Sequence, residues 1–109
     1  MLILCIHRES NAILTYLIDR YDTEHKISAV SEGDKAKQLQ WLFFQASGQV
    51  PYYGEFARWA IYAEEKIPSA IERYKKEIER VLGVLDGVLS KQEWLVGGKL
   101  TIADLSFIP

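Results

Sequence analysis

Glu9 and Ser10 are the residues whose type and position could do chemistry, because they stand immediately before an amphipathic helical stretch. The first backbone N–H groups of a helix have no partner within it. Together with the positive end of the helix dipole they attract a carboxylate. A Ser hydroxyl at that point adds one donor, and a neighbouring Glu can pair with an ammonium group. A carboxylate beside an ammonium is the α-end of an amino acid. Ser10 is also a good helix N-cap, and plain capping is the commoner role for such a residue.

Other reactive side chains carry less. Cys5, the single cysteine, lies in the apolar run 2–6 with no second thiol and no helix start to activate it. It reads as a buried structural thiol. His7 and His25 are the only histidines, and no Cys or carboxylate spacing around them points to a metal. Both read as solvated surface residues. The mixed charges at 64–66 and 73–80 read as a solvated helix face.

The elements that must position these groups follow from periodicity and punctuation. Residues 2–6 read as a short buried strand. From Ser10, apolar residues at Ile13, Leu14, Leu17, Ile18 and Tyr21 mark one helix face. A polar linker follows, and Ser31 or Asp34 can cap the next helix. Its stripe is Leu39, Leu42, Phe43 and Ala46, with Trp41 and Phe44 flanking it. Gly48 and Pro51 are expected to break that helix before another runs from about 52 to 63. Pro68 opens the cleanest amphipathic helix, with Ser69 and Glu72 spaced as a capping box and apolar residues from Ile71 to Leu89. Gly97-Gly98 ends a short apolar connection. Thr101 and Asp104 then match a capping box, with Leu100 and Leu105 spaced as a hydrophobic staple. Pro109 closes the chain before that helix completes three turns, so a sequence cut short is expected.

The 109 residues are 49% hydrophobic and 26% charged, a balance that suits one small soluble domain. A net charge of −2, with both signs interleaved, gives no field for nucleic acid. The opening apolar run is far below the roughly 20 residues that span a bilayer, and it lacks the flanks of a signal peptide. No membrane partner is expected, and a cytoplasmic location is.

Glu9-Ser10-Asn11-Ala12-Ile13-Leu14 with Tyr16, Leu17, Tyr21 and Asp22 resembles the last helix of the thioredoxin-like domain of glutathione transferases. The segment Trp94 to Leu105 resembles the helical-domain signature of the same family. Residues 47–54 and 65–74 are similar to its fungal branch, which includes the yeast nitrogen-catabolite regulator. The resemblance covers about 9–109 and implies a mainly α fold. Residues 1–24 would be the last strand and helix of the thioredoxin-like domain, 25–33 a linker, and 34–109 part of the C-terminal helical domain. It implies glutathione as substrate, held through its γ-glutamyl group by Glu9 and Ser10. Small electrophiles would be the second partner, with Tyr52 and Tyr53 as pocket residues. Phe43 and Trp59 read instead as core. Thr101 and Asp104 would direct folding. A homodimer is possible, and no metal is implied.

The family's catalytic Ser, Tyr, Cys or, in this branch, Asn follows the first strand of the thioredoxin-like unit. The residue beside the cis-proline before its third strand pairs with the glutathione backbone. Neither matches a residue here, so no catalytic residue is transferred. Two readings remain: a glutathione transferase-like protein whose catalysis is in doubt, and a non-catalytic helical interaction module or truncated gene product. The second expects Leu14, Leu17 and Ile18 to lie partly uncovered, which favours association.

Overall fold

A computed structural model describes residues 8–108. The expected strand at 2–6, Cys5 and His7 fall outside these residues. Helix α1 spans Ser10–Tyr21, α2 Glu32–Phe44, α3 Val50–Ala57, α4 Pro68–Leu89 and α5 Ile102–Ser106. Among the described residues there is no strand, and only an isolated antiparallel bridge joins Val96 to Lys99. Gly97 and Gly98 between them both have φ +66°, as a two-residue primed turn requires. The architecture is the mainly helical one expected.

Helix α2 does not break at Gly48 and Pro51. It continues through a π turn, Gln45–Gln49, straight into α3, and a second π turn follows at Arg58–Tyr62. In the widened turns Val50 N–H donates to Gln45 O, and Ala63 N–H donates to Arg58 O over 2.8 Å. Each bond skips one residue more than in an α-helix. The widening lets Pro51, second residue of α3, follow without an α-helical break. Gly48 lies on the inner side of the first π turn. A Cβ there would come within 3.3 Å of Val81 Cγ2 on α4, so a glycine permits this close approach.

The core-facing side of α2 also differs from the expected stripe. Leu42 is buried, but Leu39 and Ala46 are exposed and Phe43 is 68% exposed. Trp41 and Phe44 turn inward instead, because Phe107 after α5 packs on that side. The three rings meet at centroid distances of 5.6, 6.2 and 6.4 Å. Phe43 is therefore not a core residue. Trp59 is half-buried, with its indole N–H on Glu55 Oε2 at 3.1 Å.

Helix α4 starts at Pro68 with Ile67 as its cap, so Ser69 lies inside the helix and the Ser69–Glu72 capping box does not form. The fixed φ of proline suits the first helical position and takes the start there. Val81 faces the core fully, Leu85 and Val88 partly, whereas Leu82 and Leu89 are exposed. Ala29, Leu95, Val96 and Ala103 form the buried cluster, with Ile102 fully enclosed nearby.

The capping box at α5 is present. Asp104 Oδ2 accepts Thr101 N–H at 3.0 Å, and Thr101 Oγ1 accepts Ala103 N–H at 3.3 Å. Asp104 Oδ1 additionally accepts Leu95 N–H at 3.0 Å, and Ile102 N–H reaches Ile27 O at 2.9 Å. Ile102→Ala should destabilise the chain by about 2–5 kcal/mol through the cavity it leaves. A urea titration followed by circular dichroism measures this, and a loss below ~1 kcal/mol would contradict the tight enclosure.

Candidate functional site

Helix α1 opens directly after Glu9, with Glu9 rather than Ser10 at the cap position. Ser10 is the first helical residue, and no side chain caps the turn. Glu9 O accepts Ile13 N–H at 3.0 Å. Neither that cap nor an acidic residue in the first turn neutralises the leading N–H groups. Glu9 and Ser10 are both exposed, and Glu9 has φ 66° and ψ 110°, a conformation few non-glycine residues adopt. The expected capping role of Ser10 is not observed, because the chain turns at Glu9.

Glu9 also lines a cleft of about 560 Å³ between α1 and α2. The side chains that left the core of α2, Leu39, Phe43 and Ala46, form its second wall. Asn11 fastens its floor: Nδ2 donates to Leu42 O at 2.7 Å and to Gln45 Oε1 at 2.9 Å. Gln45 Nε2 donates to Gln49 Oε1 at 3.1 Å, and Gln49 Nε2 donates to Phe107 O at 3.2 Å. One polar line thus runs from α1 through the π turn to the end of α5. Asn11, Gln45 and Gln49 were not among the sequence candidates. The only signal was polar residues at helical spacing on a face otherwise built for packing.

Tyr52 and Tyr53 are half-buried, and the Tyr52 ring stands 6.2 Å from Tyr74 on α4. Neither lines the Glu9 cleft. The structure thus separates them from Glu9 and Ser10. Thr101 and Asp104 lie at the α5 cap described above.

The segment after α1 is more organised than a polar linker. Asp22 accepts from Lys26 N–H at 2.8 Å, Ile27 N–H at 3.0 Å and the Ser28 hydroxyl at 2.7 Å. Because Ser28 gives its proton to Asp22, His25 Nδ1, 3.1 Å from Ser28 Oγ, must be the donor in that pair. His25 is exposed but not merely solvated: its carbonyl also accepts from Lys99 Nζ. The Ser28 hydroxyl, the backbone donors and His25 hold the Asp22 carboxyl below its ordinary value near 3.8, against a smaller opposing effect of burial. Among the described residues, no group of His, Cys, Asp or Glu is placed to hold a metal ion. No described helix is long and apolar enough to cross a membrane.

The family model of the glutathione S-transferase C-terminal domain matches residues 12–109. The chain belongs to the glutathione S-transferase family. It is 53% identical, over 93% of its length, to the glutathione S-transferase-like protein tpcF of Aspergillus fumigatus and covers 49% of that protein. It is 35% identical to the transcriptional regulator URE2 of Saccharomyces cerevisiae, covering 93% of this chain and 38% of the regulator. The glutathione transferase URE2P6 of Phanerochaete chrysosporium, solved with oxidised glutathione, superposes with a TM-score of 0.90 at 60% identity. That match covers 94% of this chain and 47% of the other. The chain spans about half the length of the curated relatives it matches.

A depressed carboxyl pKa in the folded state adds stability above the unfolded pKa of about 3.9, lost as pH falls through the folded value. Asp22→Asn should therefore destabilise the chain at pH 7 and show a narrower gap to wild type at an acid pH where the Asp22 carboxyl is protonated in both states. Paired urea titrations at the two pH values check this. An equal gap at both would remove the carboxylate from the account.

Proposed function

We propose that this chain is the helical portion of a glutathione transferase-like protein and that the start of α1 holds the γ-glutamyl end of glutathione. The observation that carries the reading is the uncapped helix start with Glu9 and Ser10 both open to solvent. The unpaired N–H groups and the Ser10 hydroxyl suit the γ-glutamyl carboxylate. The Glu9 carboxylate suits the ammonium beside it. Glu9 keeps a strained backbone, which costs on the order of 1–3 kcal/mol and persists where the surroundings over-determine it. Support also comes from relatives of this family solved with glutathione bound.

Catalysis by the 109 residues alone is not part of the proposal. Conjugation needs a donor near the thiol to lower its pKa from about 8.5 and raise the thiolate fraction. No matched residue supplies one. The electrophile pocket is proposed at Tyr52 and Tyr53, which would lie apart from the γ-glutamyl contacts and meet the other end of the ligand.

A second reading, an interaction module, is favoured by the apolar side of α1. Leu17 is 43% exposed and Tyr21 70%, and neither Leu14 nor Ile18 is buried. A homodimer in the cytoplasm would fit both readings.

Calorimetric titration with reduced glutathione should give saturable binding, weakened about tenfold by Glu9→Gln and less by Ser10→Ala, the scale of a charge-assisted hydrogen bond. The same protein should show no conjugation of glutathione to chlorodinitrobenzene. Unaltered binding by Glu9→Gln would remove the γ-glutamyl assignment, and steady turnover would overturn the statement on catalysis.

A further inference from the structure

A second cleft of about 460 Å³ lies further along the α1–α2 groove, toward the far end of α1. Two facing helix stripes build it. Ile18 and Asp19 come from α1; Lys35, Gln38, Leu39 and Leu42 come from α2 at helical spacing.

Gln38 is the informative residue. It is 7% exposed, and its Oε1 accepts Ala29 N–H at 3.0 Å. That bond fixes which way the amide faces, because a backbone N–H demands the oxygen. The Nε2 end therefore turns away from Ala29, and among the described residues it meets no acceptor. Among the described residues no buried side-chain nitrogen or oxygen lacks a partner, so Nε2 must reach open space, and the cleft is the space Gln38 lines. Its acceptor is therefore either water in the cleft or a ligand.

The charges around it are unspent as well. Among the described residues, Lys35, one turn before Gln38 on the same face, makes no ion pair, and neither does Asp19 across the cleft. The Asp22 carboxylate, also in the lining, is already committed to Lys26, Ile27 and Ser28. Two donors on α2 thus face one free carboxylate on α1, above a wall of Ile18, Leu39 and Leu42.

We propose that this cleft binds a free α-amino acid with an apolar side chain. The ligand carboxylate accepts from Gln38 Nε2 and Lys35 Nζ, its ammonium pairs with Asp19, and its hydrocarbon lies on the Ile18–Leu39–Leu42 wall. Neither Glu9 nor Ser10 lines this cleft, although Asp19, Leu39 and Leu42 line both it and the Glu9 cleft.

The test is an NMR titration of the isotopically labelled 109-residue chain with L-leucine, reading backbone and Gln38 side-chain amides. A saturable shift of the Gln38 amide is expected. Leucinamide, which lacks the carboxylate, and 4-methylpentanoate, which lacks the ammonium, should each bind about tenfold more weakly. Gln38→Glu keeps an oxygen for Ala29 and sets a like charge against the ligand. Lys35→Met removes the cation at an exposed position. Each should weaken leucine binding by about tenfold or more. Should Gln38→Glu fail to fold, Lys35→Met decides. The absence of saturation, equal binding of leucinamide, or wild-type affinity in Lys35→Met overturns the proposal.

Discussion

The Asp104 carboxylate ties the last helix to the loop that leads into it. One oxygen closes the box on Thr101, and the other takes the backbone N–H of Leu95, nine residues earlier. A helix of five residues has little stability of its own. Those bonds hold it where Ile102 and Ala103 are fully enclosed and where Ile102 N–H meets Ile27. The loop from α4 and the last helix therefore meet at one carboxylate, and the segment after α1 joins them through the Ile102 N–H. Phe107 follows α5 and decides which face of α2 points inward, so the side on which Phe43 and Leu39 emerge is set from the same place.

Polar side chains then do what apolar stripes usually do. Asn11, Gln45 and Gln49 join α1, the first π turn and the end of α5, while Gln38 ties α2 to Ala29. Buried amides are specific because a misplaced one leaves donors or acceptors unpaired in a medium that screens poorly. The bonds along this line also fix how α1 stands against α2. The spacing of those two helices defines both clefts and the surroundings of Glu9.

Features set by local chemistry were legible in the sequence. Thr101 and Asp104 announced their capping box, Gly97-Gly98 the end of the apolar connection, and Pro68 the start of α4. Glu9 and Ser10 were placed correctly at the opening of α1, although the turn is made by Glu9. Features set by partners distant in sequence were not legible. Gly48 and Pro51 looked like breakers because α-helical bonding was assumed, and a π turn relaxes that assumption. Phe43 looked like core until the side taken by Phe107 was known. Asp22 to Ser28 had the composition of a linker, and only its hydrogen bonds reveal a built corner.

The two π turns have an arithmetic consequence for insertions and deletions in this helix. A turn closed five residues back holds one residue more than an α-turn, and each residue rotates the helix by about 100°. Everything after Gln49 is therefore turned by about one residue's worth relative to a regular continuation of α2. Removing a single residue from 45–49 would convert the bulge to plain α-helix and leave Tyr52 and Trp59 on their present faces, whereas removing one from the α-helical part of the rod would swing both by about 100°. The same removal in the exposed stretch before Ile67 would be absorbed by irregular chain. Length variation in this rod is thus a matter of which surface faces α4, decided one residue at a time.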